Sequence, residues 1–588
     1  MASIAGNLGG RTMTADALDH DPWPRRAIYL MLLGAVLGLT FDALLGDPFN
    51  SWTTNVWRIS AAFFVLVSGI VFALTLEKVR WLWSLLFALA AGLVVAMIFY
   101  WNGSPDGWRQ GQEWQLIATF IAIIIAAPLF QSARDAGHWH TDYAPVYRHV
   151  WGNILLWGAA WGFTVIVYLL SQLMAELFSL IGIDVLREAL RESWFTFMLL
   201  GASLGAAFGL LRDRDKIVLT LQRVAMTVIS VLTPILALGL VIFVLALPFT
   251  GLEPLWEQTK ATTPILLVCV IGAFVLANAT IGSAADEEAA QPVLRYSAMA
   301  LGAVMLPLAI VAAVSTWLRI DQYGFTPQRL WGLAAVAVCL AVALAYFVSL
   351  VRGRARWADQ VRRSNFLLAI GICAFALLLA TPLVDFGAIS TRDQVARLES
   401  GKVSPEEFDW AALRFDFGRA GERALQRLSG HSSPPIRAFA AKALRSKERW
   451  GLAEEVTANR RAQMLRQSIR VLPEQVAIPD ALRQALARGS VCAAGDCTLF
   501  WRAGASEAVA VGFGCPECRA GVTPLRLDPR GEWQPVPLDA QREPIPAPGQ
   551  PNALADAQRR AVASGRIEVK EVVRRQVYID GEPVAVPF

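Results

Sequence analysis

From residue 27 to residue 386 the chain alternates stretches of about twenty apolar residues with short polar connections, the length at which an α-helix crosses the roughly 30 Å hydrocarbon core of a bilayer. Runs near 27–45, 57–76, 81–101, 114–133, 150–173, 194–211, 218–248, 264–281, 294–316, 330–350 and 365–386 predict eleven spans. Two are irregular. Val150 to Ile183 holds no Lys or Arg and a single acid, Glu176. As one straight helix it would be roughly 51 Å long, so it is expected to cross between Val150 and about Leu173 and to continue as an amphipathic interfacial piece through Glu192. The run near 218–248 is overlong and interrupted by Pro234.

Beyond residue 386 the periodicity changes. Short helices are expected at Asp393–Leu398, Pro405–Leu428, Pro435–Leu444 and Leu452–Val471, and PPIRAFAAKALRS has the pattern of one helical repeat unit without a second copy. From Val491, strands are expected in CTLFWR, EAVAVGF, TPLRLD and EWQPV. A proline-rich link (Pro535 to Pro551) and a hairpin signalled by Asp580-Gly581 follow. The expected fold is an all-α polytopic transmembrane helix bundle of about eleven spans with a C-terminal extramembrane α+β tail. Its parts are an N-terminal segment (1–26), the bundle (27–386), a helical extramembrane region (387–490) and a small β module with four cysteines (491–588).

Composition supports this division. Hydrophobic residues make up 55% of the chain and charged residues only 17%, against about 25% charged in an ordinary soluble domain. The net charge of +5 comes mostly from Arg between spans, so it speaks to topology and not to nucleic-acid binding. Many of the 21 Trp sit at span ends, where a ring with one polar edge suits the membrane interface. Lys and Arg in the connections holding Arg25, Arg80, Arg134, Arg212, Arg295 and Arg352 outnumber those on the opposite side, which puts the amino terminus in the cytoplasm. An odd number of spans then delivers the tail to the periplasm of a bacterial inner membrane. The first 26 residues lack the apolar core and small-residue cleavage site of a signal peptide, so the first span is expected to remain as an anchor.

Several polar residues stand within or beside the apolar runs. Glu176 lies one helical turn from Gln172, and an acid near the membrane is a candidate for carrying a proton or holding a cation. The alternative places it at the interface, where the length arithmetic ends the span. Asp42, Asn153, Asn278 and Arg223 can each hydrogen-bond a neighbouring helix without any transport role. Gly201, Gly205 and Gly209 form a ridge of small residues suited to close helix packing. His138, His140 and His149, with Asp135 and Asp142, offer ligand types for a transition metal but no helical register that fixes two on one face.

The four tail cysteines are the sharpest constellation. Cys492 and Cys497, then Cys515 and Cys518, have the spacing of a four-thiolate zinc ribbon if the tail is cytoplasmic. In an oxidising periplasm the same residues are expected to form structural disulfides, and no cofactor is then expected. A redox-active CPEC is the third reading, weakened because turn and strand, not a helix, follow Cys518. No phosphate-binding loop, nucleophile elbow or Ser/His/Asp set stands out.

LLRDRDKIVLTLQRV (210–224), LPFTGLEPLW (247–256), Asn278, MLPLAI (305–310), RIDQYGFTPQRLW (319–331), ISTRDQVARLESGK (389–402) and FDWAALRFDFGRAGERALQRL (408–428) together resemble the bacterial membrane family called domain of unknown function 4153. The resemblance implies a polytopic inner-membrane protein without an assigned activity, and it transfers no catalytic residues. Several of these stretches fall on the external side. Trp256, Arg319, Tyr323, Arg329, Arg414 and Asp416 are therefore candidates for a composite external surface, or else helix caps and interfacial anchors around Thr326-Pro327.

Three functional readings follow. The first is a non-enzymatic envelope protein whose periplasmic module binds or organises a periplasmic protein or another envelope component. The second is a secondary transporter or channel using polar residues of spans one, five, seven and eight. The third is a membrane enzyme acting on lipid or cell-wall precursors, for which no acid/base pair can be named.

Overall fold

The computed structural model describes residues 25–46, 55–78, 80–103, 112–138, 142–212, 215–251, 262–449, 469–472, 476–489, 497–513 and 520–536, with a few further positions including Cys492. Eleven helical stretches among them are long and apolar enough to cross a membrane. In chain order the helices are α1 (Arg26–Leu45), α2 (Val56–Thr75), α3 (Trp81–Asn102), α4 (Glu113–Ala136), α5 (Tyr143–Ser179), the short α6 (Val185–Arg191), α7 (Ser193–Arg212), α8 (Asp215–Val231), α9 (Thr233–Thr250), α10 (Thr262–Ile281), α11 (Pro292–Tyr323), α12 (Pro327–Gly353) and α13 (Trp357–Ala380). The overlong seventh run divides into α8 and α9 at Leu232. Pro234 then occupies the first turn of α9, where its missing N–H costs no helical hydrogen bond.

The fifth span departs from expectation. It is one unbroken helix of 37 residues, about 55 Å long, that starts at Tyr143 and continues past Leu173 to Ser179. Its window has the lowest share of buried residues of the eleven, and Leu173, Leu177 and Leu180 face outward. Nothing between Leu173 and Ser179 disfavours helix, so length alone does not end it. The chain turns only at Gly182, whose φ of +81° suits glycine, and α6 then leads into α7.

The bundle has two packed halves. In the first, α1 lies along α7 and α2 along α3, around a core that includes Phe41, Ile59, Val95 and Phe99. In the second, α11 packs against α9, α10 and α12, burying Leu301, Met305, Tyr346 and Trp357. Contacts of α4 with α13, and of α5 with α8 and α13, join the halves. The glycine ridge of α7 fits the backbone of α1. A Cβ on Gly201 would stand 2.1 Å from the Gly34 carbonyl oxygen, and one on Gly205 would stand 2.0 Å from that of Leu30. Gly34 and Gly38 return the same fit from α1.

Residues 1–390 and 391–588 form two compact units. Helix α14 (Phe386–Glu399) crosses that boundary. In the second unit the stretch expected as one helix from Pro405 to Leu428 is broken. A π-helical turn at Ala412–Asp416 precedes α15 (Gly418–Leu428), and Gly418 has φ +71°. Gly421 lets the two pieces approach, since a Cβ there would stand 2.1 Å from the Leu413 carbonyl oxygen. With α16 (Pro434–Arg445) these elements close a core that includes Phe408, Trp410, Leu425 and Ile436.

A five-stranded sheet follows, in the order β1 (Ile469–Leu472), β2 (Cys497–Phe500), β3 (Glu507–Phe513), β4 (Ala520–Leu527), β5 (Trp533–Pro535). β1 and β2 are parallel, with Ile469 opposite Cys497, and the other pairs are antiparallel. β1 corrects the expectation of helix through Val471; residues 453–468 of that stretch lie outside the described residues. α17 (Asp480–Arg488) covers the sheet, its Leu482 and Leu486 sharing a core with Leu499, Trp501 and Trp533. β6 (Tyr578–Ile579) and β7 (Glu582–Pro583) pair on either side of Asp580-Gly581.

Candidate functional site

A knot of uncharged polar side chains lies where the second half of the bundle meets α5. Asn278, in the last turn of α10, is its hub. Its Nδ2 donates to the Tyr346 hydroxyl of α12 at 2.6 Å and to the Phe274 carbonyl at 2.9 Å. Its Oδ1 accepts from Asn365 Nδ2 of α13 at 2.7 Å and from the Tyr143 hydroxyl of α5 at 3.3 Å. One turn further along α5, the Tyr147 hydroxyl donates to the Asn278 carbonyl at 3.4 Å. Tyr346, Asn278 and Asn365 are buried, and Asn365 Oδ1 has no protein partner.

An arginine closes this end. Arg362, one turn before Asn365 and 7% exposed, donates from Nη2 to the Ile281 carbonyl at 2.7 Å and the Ala284 carbonyl at 3.1 Å. It therefore caps the carbonyl end of α10, where the helix dipole favours a cation. Asp359 at 2.7 Å and Glu288 at 3.5 Å balance its charge. The turn that carries Glu288 is held by Glu287 Oε2, which accepts from the Ser283 N–H at 3.0 Å and hydroxyl at 2.5 Å.

Amides and phenols in this arrangement can lock four helices in register and hold an ordered water at Asn365 Oδ1. Among the described residues no carboxylate hydrogen-bonds to the knot itself, and no group of three or more His, Cys, Asp and Glu side chains is placed to hold a metal.

Of the polar residues singled out in the apolar runs, only Asn278 enters the knot. Glu176 is 60% exposed at the side chain and meets Arg187 of α6 at 3.4 Å, while Gln172 donates to Tyr168 on its own helix at 2.9 Å. Asp42 accepts from Ser193 at 2.5 Å across the α1–α7 contact. Arg223 is exposed on α8. Asn153 pairs with Gln131 of α4 at 2.7 Å. His149 meets Asp135 at 3.1 Å, His138 is exposed, and His140 lies outside the described residues.

Four of the surface candidates, Tyr323, Arg329, Arg414 and Asp416, have partners within their own units. Arg329 folds back to donate to the Gly324 carbonyl at 2.8 Å, with its guanidinium 5.2 Å from the Tyr323 ring centroid, while Thr326 caps α12. Arg319 is half-buried near the end of α11. In the tail Arg414 pairs with Glu422 at 2.7 Å, and buried Asp416 takes two bonds from Arg449 at 2.8 and 3.1 Å, which raises the Arg449 pKa. Trp256 lies outside the described residues.

Cys492 and Cys497 form a disulfide. Cys515 and Cys518, and with them the zinc reading of the full quartet, lie outside the described residues.

Tyr143, Tyr147, Tyr346 and Asn365, which make up the knot with Asn278, and Arg362, which closes its end, are not singled out by the sequence reading. The available signal was a second asparagine, Asn365, at the Arg-rich end of an apolar run, matching Asn278 at the end of another.

No curated protein and no solved structure matches the chain. Residues 61–428, more than half of the chain, match the family described as a domain of unknown function, DUF4153. That stretch takes in nine of the eleven apolar helical stretches whole and most of a tenth, all five residues of the knot and the first helices of the tail, and the chain therefore belongs to the DUF4153 family.

Proposed function

We propose that the protein is a non-enzymatic envelope protein of the bacterial inner membrane, whose bundle anchors residues 391–588 and presents them in the periplasm as a binding or organising module. The observation that carries this reading is the Cys492–Cys497 disulfide, in a unit with its own helical and sheet cores. Such a bond persists in oxidising compartments and is rare where thiols are kept reduced. The excess of Lys and Arg on one set of connections points the same way. Among the described residues, Asp42, Gln131, Asn153, Gln172 and Asn278 are each engaged with neighbouring protein groups, as expected of a scaffold.

The test is a pair of fusions after Phe588. Alkaline phosphatase, which needs disulfides, is expected to be active there and a fluorescent protein that matures only in the cytosol to be dark. The reverse pattern would overturn the proposal and move the cysteines to the zinc reading. Transport is a second reading, favoured by one observation, the buried and unpartnered Asn365 Oδ1. It requires Asn365→Leu to abolish flux of a cation such as sodium into proteoliposomes while the folded protein is retained.

A further inference from the structure

The carbonyl end of α2 is collared by arginines from three other helices. Arg26 of α1 and Arg212 of α7 both donate to the Leu76 carbonyl, at 2.5 and 2.8 Å. Arg134 of α4 donates to the Thr75 carbonyl and, at 3.2 Å, to the Ser84 hydroxyl. Arg80, just before α3, donates in turn to the Arg134 carbonyl at the end of α4. Gly137 has φ +79°, and a Cβ there would meet the Arg80 guanidinium at 2.9 Å. Glycine thus leaves the space in which that guanidinium lies.

Beside the collar is a cavity of about 280 Å³, lined by Arg80, Trp83, Phe130, Arg134, Gly137 and His138 among others. Its charge is unbalanced. Arg134 is neutralised by Asp135 at 2.6 Å, and Asp135 is shared with His149. Among the described residues Arg80 has no carboxylate partner, and its Nε and Nη2 have no protein acceptor. The opposite wall is apolar. Phe130 is buried and stacks on Phe87 with ring centroids 4.4 Å apart, while Trp83 stands 56% exposed on the outer face of α3. The cavity lies at helix ends, between the start of α3 and the end of α4, and joins unspent guanidinium donors to an aromatic wall that includes the exposed Trp83.

We infer that this cavity takes the phosphate of an anionic glycerophospholipid, with Arg80 as the main donor, His138 beside it, and Trp83 and Phe130 against the glycerol and upper acyl chain. A phosphodiester bears one negative charge, which matches one unpaired guanidinium. Basic pockets between transmembrane helices bind anionic headgroups on this physical ground. Inorganic phosphate is likewise anionic but has no use for the aromatic wall.

The test is native mass spectrometry of the full chain released from detergent with phosphatidylglycerol or phosphatidylcholine. The wild type is expected to retain phosphatidylglycerol preferentially. Arg80→Gln is expected to lower retention about fivefold, the factor one arginine supplies near an anionic surface, and Arg80→Lys to keep most of it. Because Arg80 also caps α4, the exposed His138→Gln serves as a second variant, with a smaller loss in the same direction. Retention unchanged in both neutral variants, or no preference over phosphatidylcholine, would overturn the assignment. A parallel arm titrates the delipidated protein with inorganic phosphate. Arg80-dependent phosphate binding without Arg80-dependent lipid retention would reassign the cavity to the free anion and overturn the lipid source.

Discussion

Asn278 and Glu176 both qualify as polar residues in apolar runs, yet the structure gives them opposite surroundings. Asn278 uses both ends of its amide on three helices, whereas Glu176 holds a single half-exposed arginine. Hydrogen bonds between membrane helices contribute about 0.6 to 2 kcal/mol each. Asn278→Ala is therefore expected to destabilise the bundle by about 1 to 3 kcal/mol, read as a lowered melting temperature of the purified protein by intrinsic fluorescence. Glu176→Gln is expected to change stability by less than about 0.5 kcal/mol, as for an exposed ion pair. The sequence singles out Asn278 because an amide in an apolar run must find a partner. It does not show which partners, because those come from helices far apart along the chain.

At the scale of elements, the spans and four of the five sheet strands were legible, since periods of twenty apolar residues and of two are strong local signals. β1 was not. IRVL sits at the end of a stretch patterned like a helix, and its parallel partner is reached only beyond α17. The length of α5 departs from expectation for another reason, since bilayer thickness limits the buried part of a helix and not the helix. The ridge on α7 was legible as a packing surface, but its fit to Gly34 and Gly38 needed coordinates. Gly201→Leu is expected to force α1 and α7 apart, giving loss of the monodisperse peak in size-exclusion chromatography. Gly158→Leu on α5, where no atom lies within 4 Å of an added Cβ, is expected to elute as the wild type does.

For the molecule as a whole, two compact units with separate cores predict two unfolding transitions. A short disulfide loop contributes about 2 kcal/mol by restricting the unfolded chain. Reductant is therefore expected to lower the transition of residues 391–588 by several degrees and to leave that of the bundle unmoved, as read by calorimetry. A single transition shifted as one would contradict this.

The fit of α1 against α7 also dictates an order of events on the ribosome. Gly34 and Gly201 are separated by roughly 170 residues, which at about 5 to 20 residues per second take on the order of ten to thirty seconds to synthesise. For that interval the first helix has left the translocon without its mate. Its small-residue groove then faces lipid or an insertase, and a nascent chain stalled before α7 should crosslink to that insertase through α1, whereas one extended past Arg212 should not.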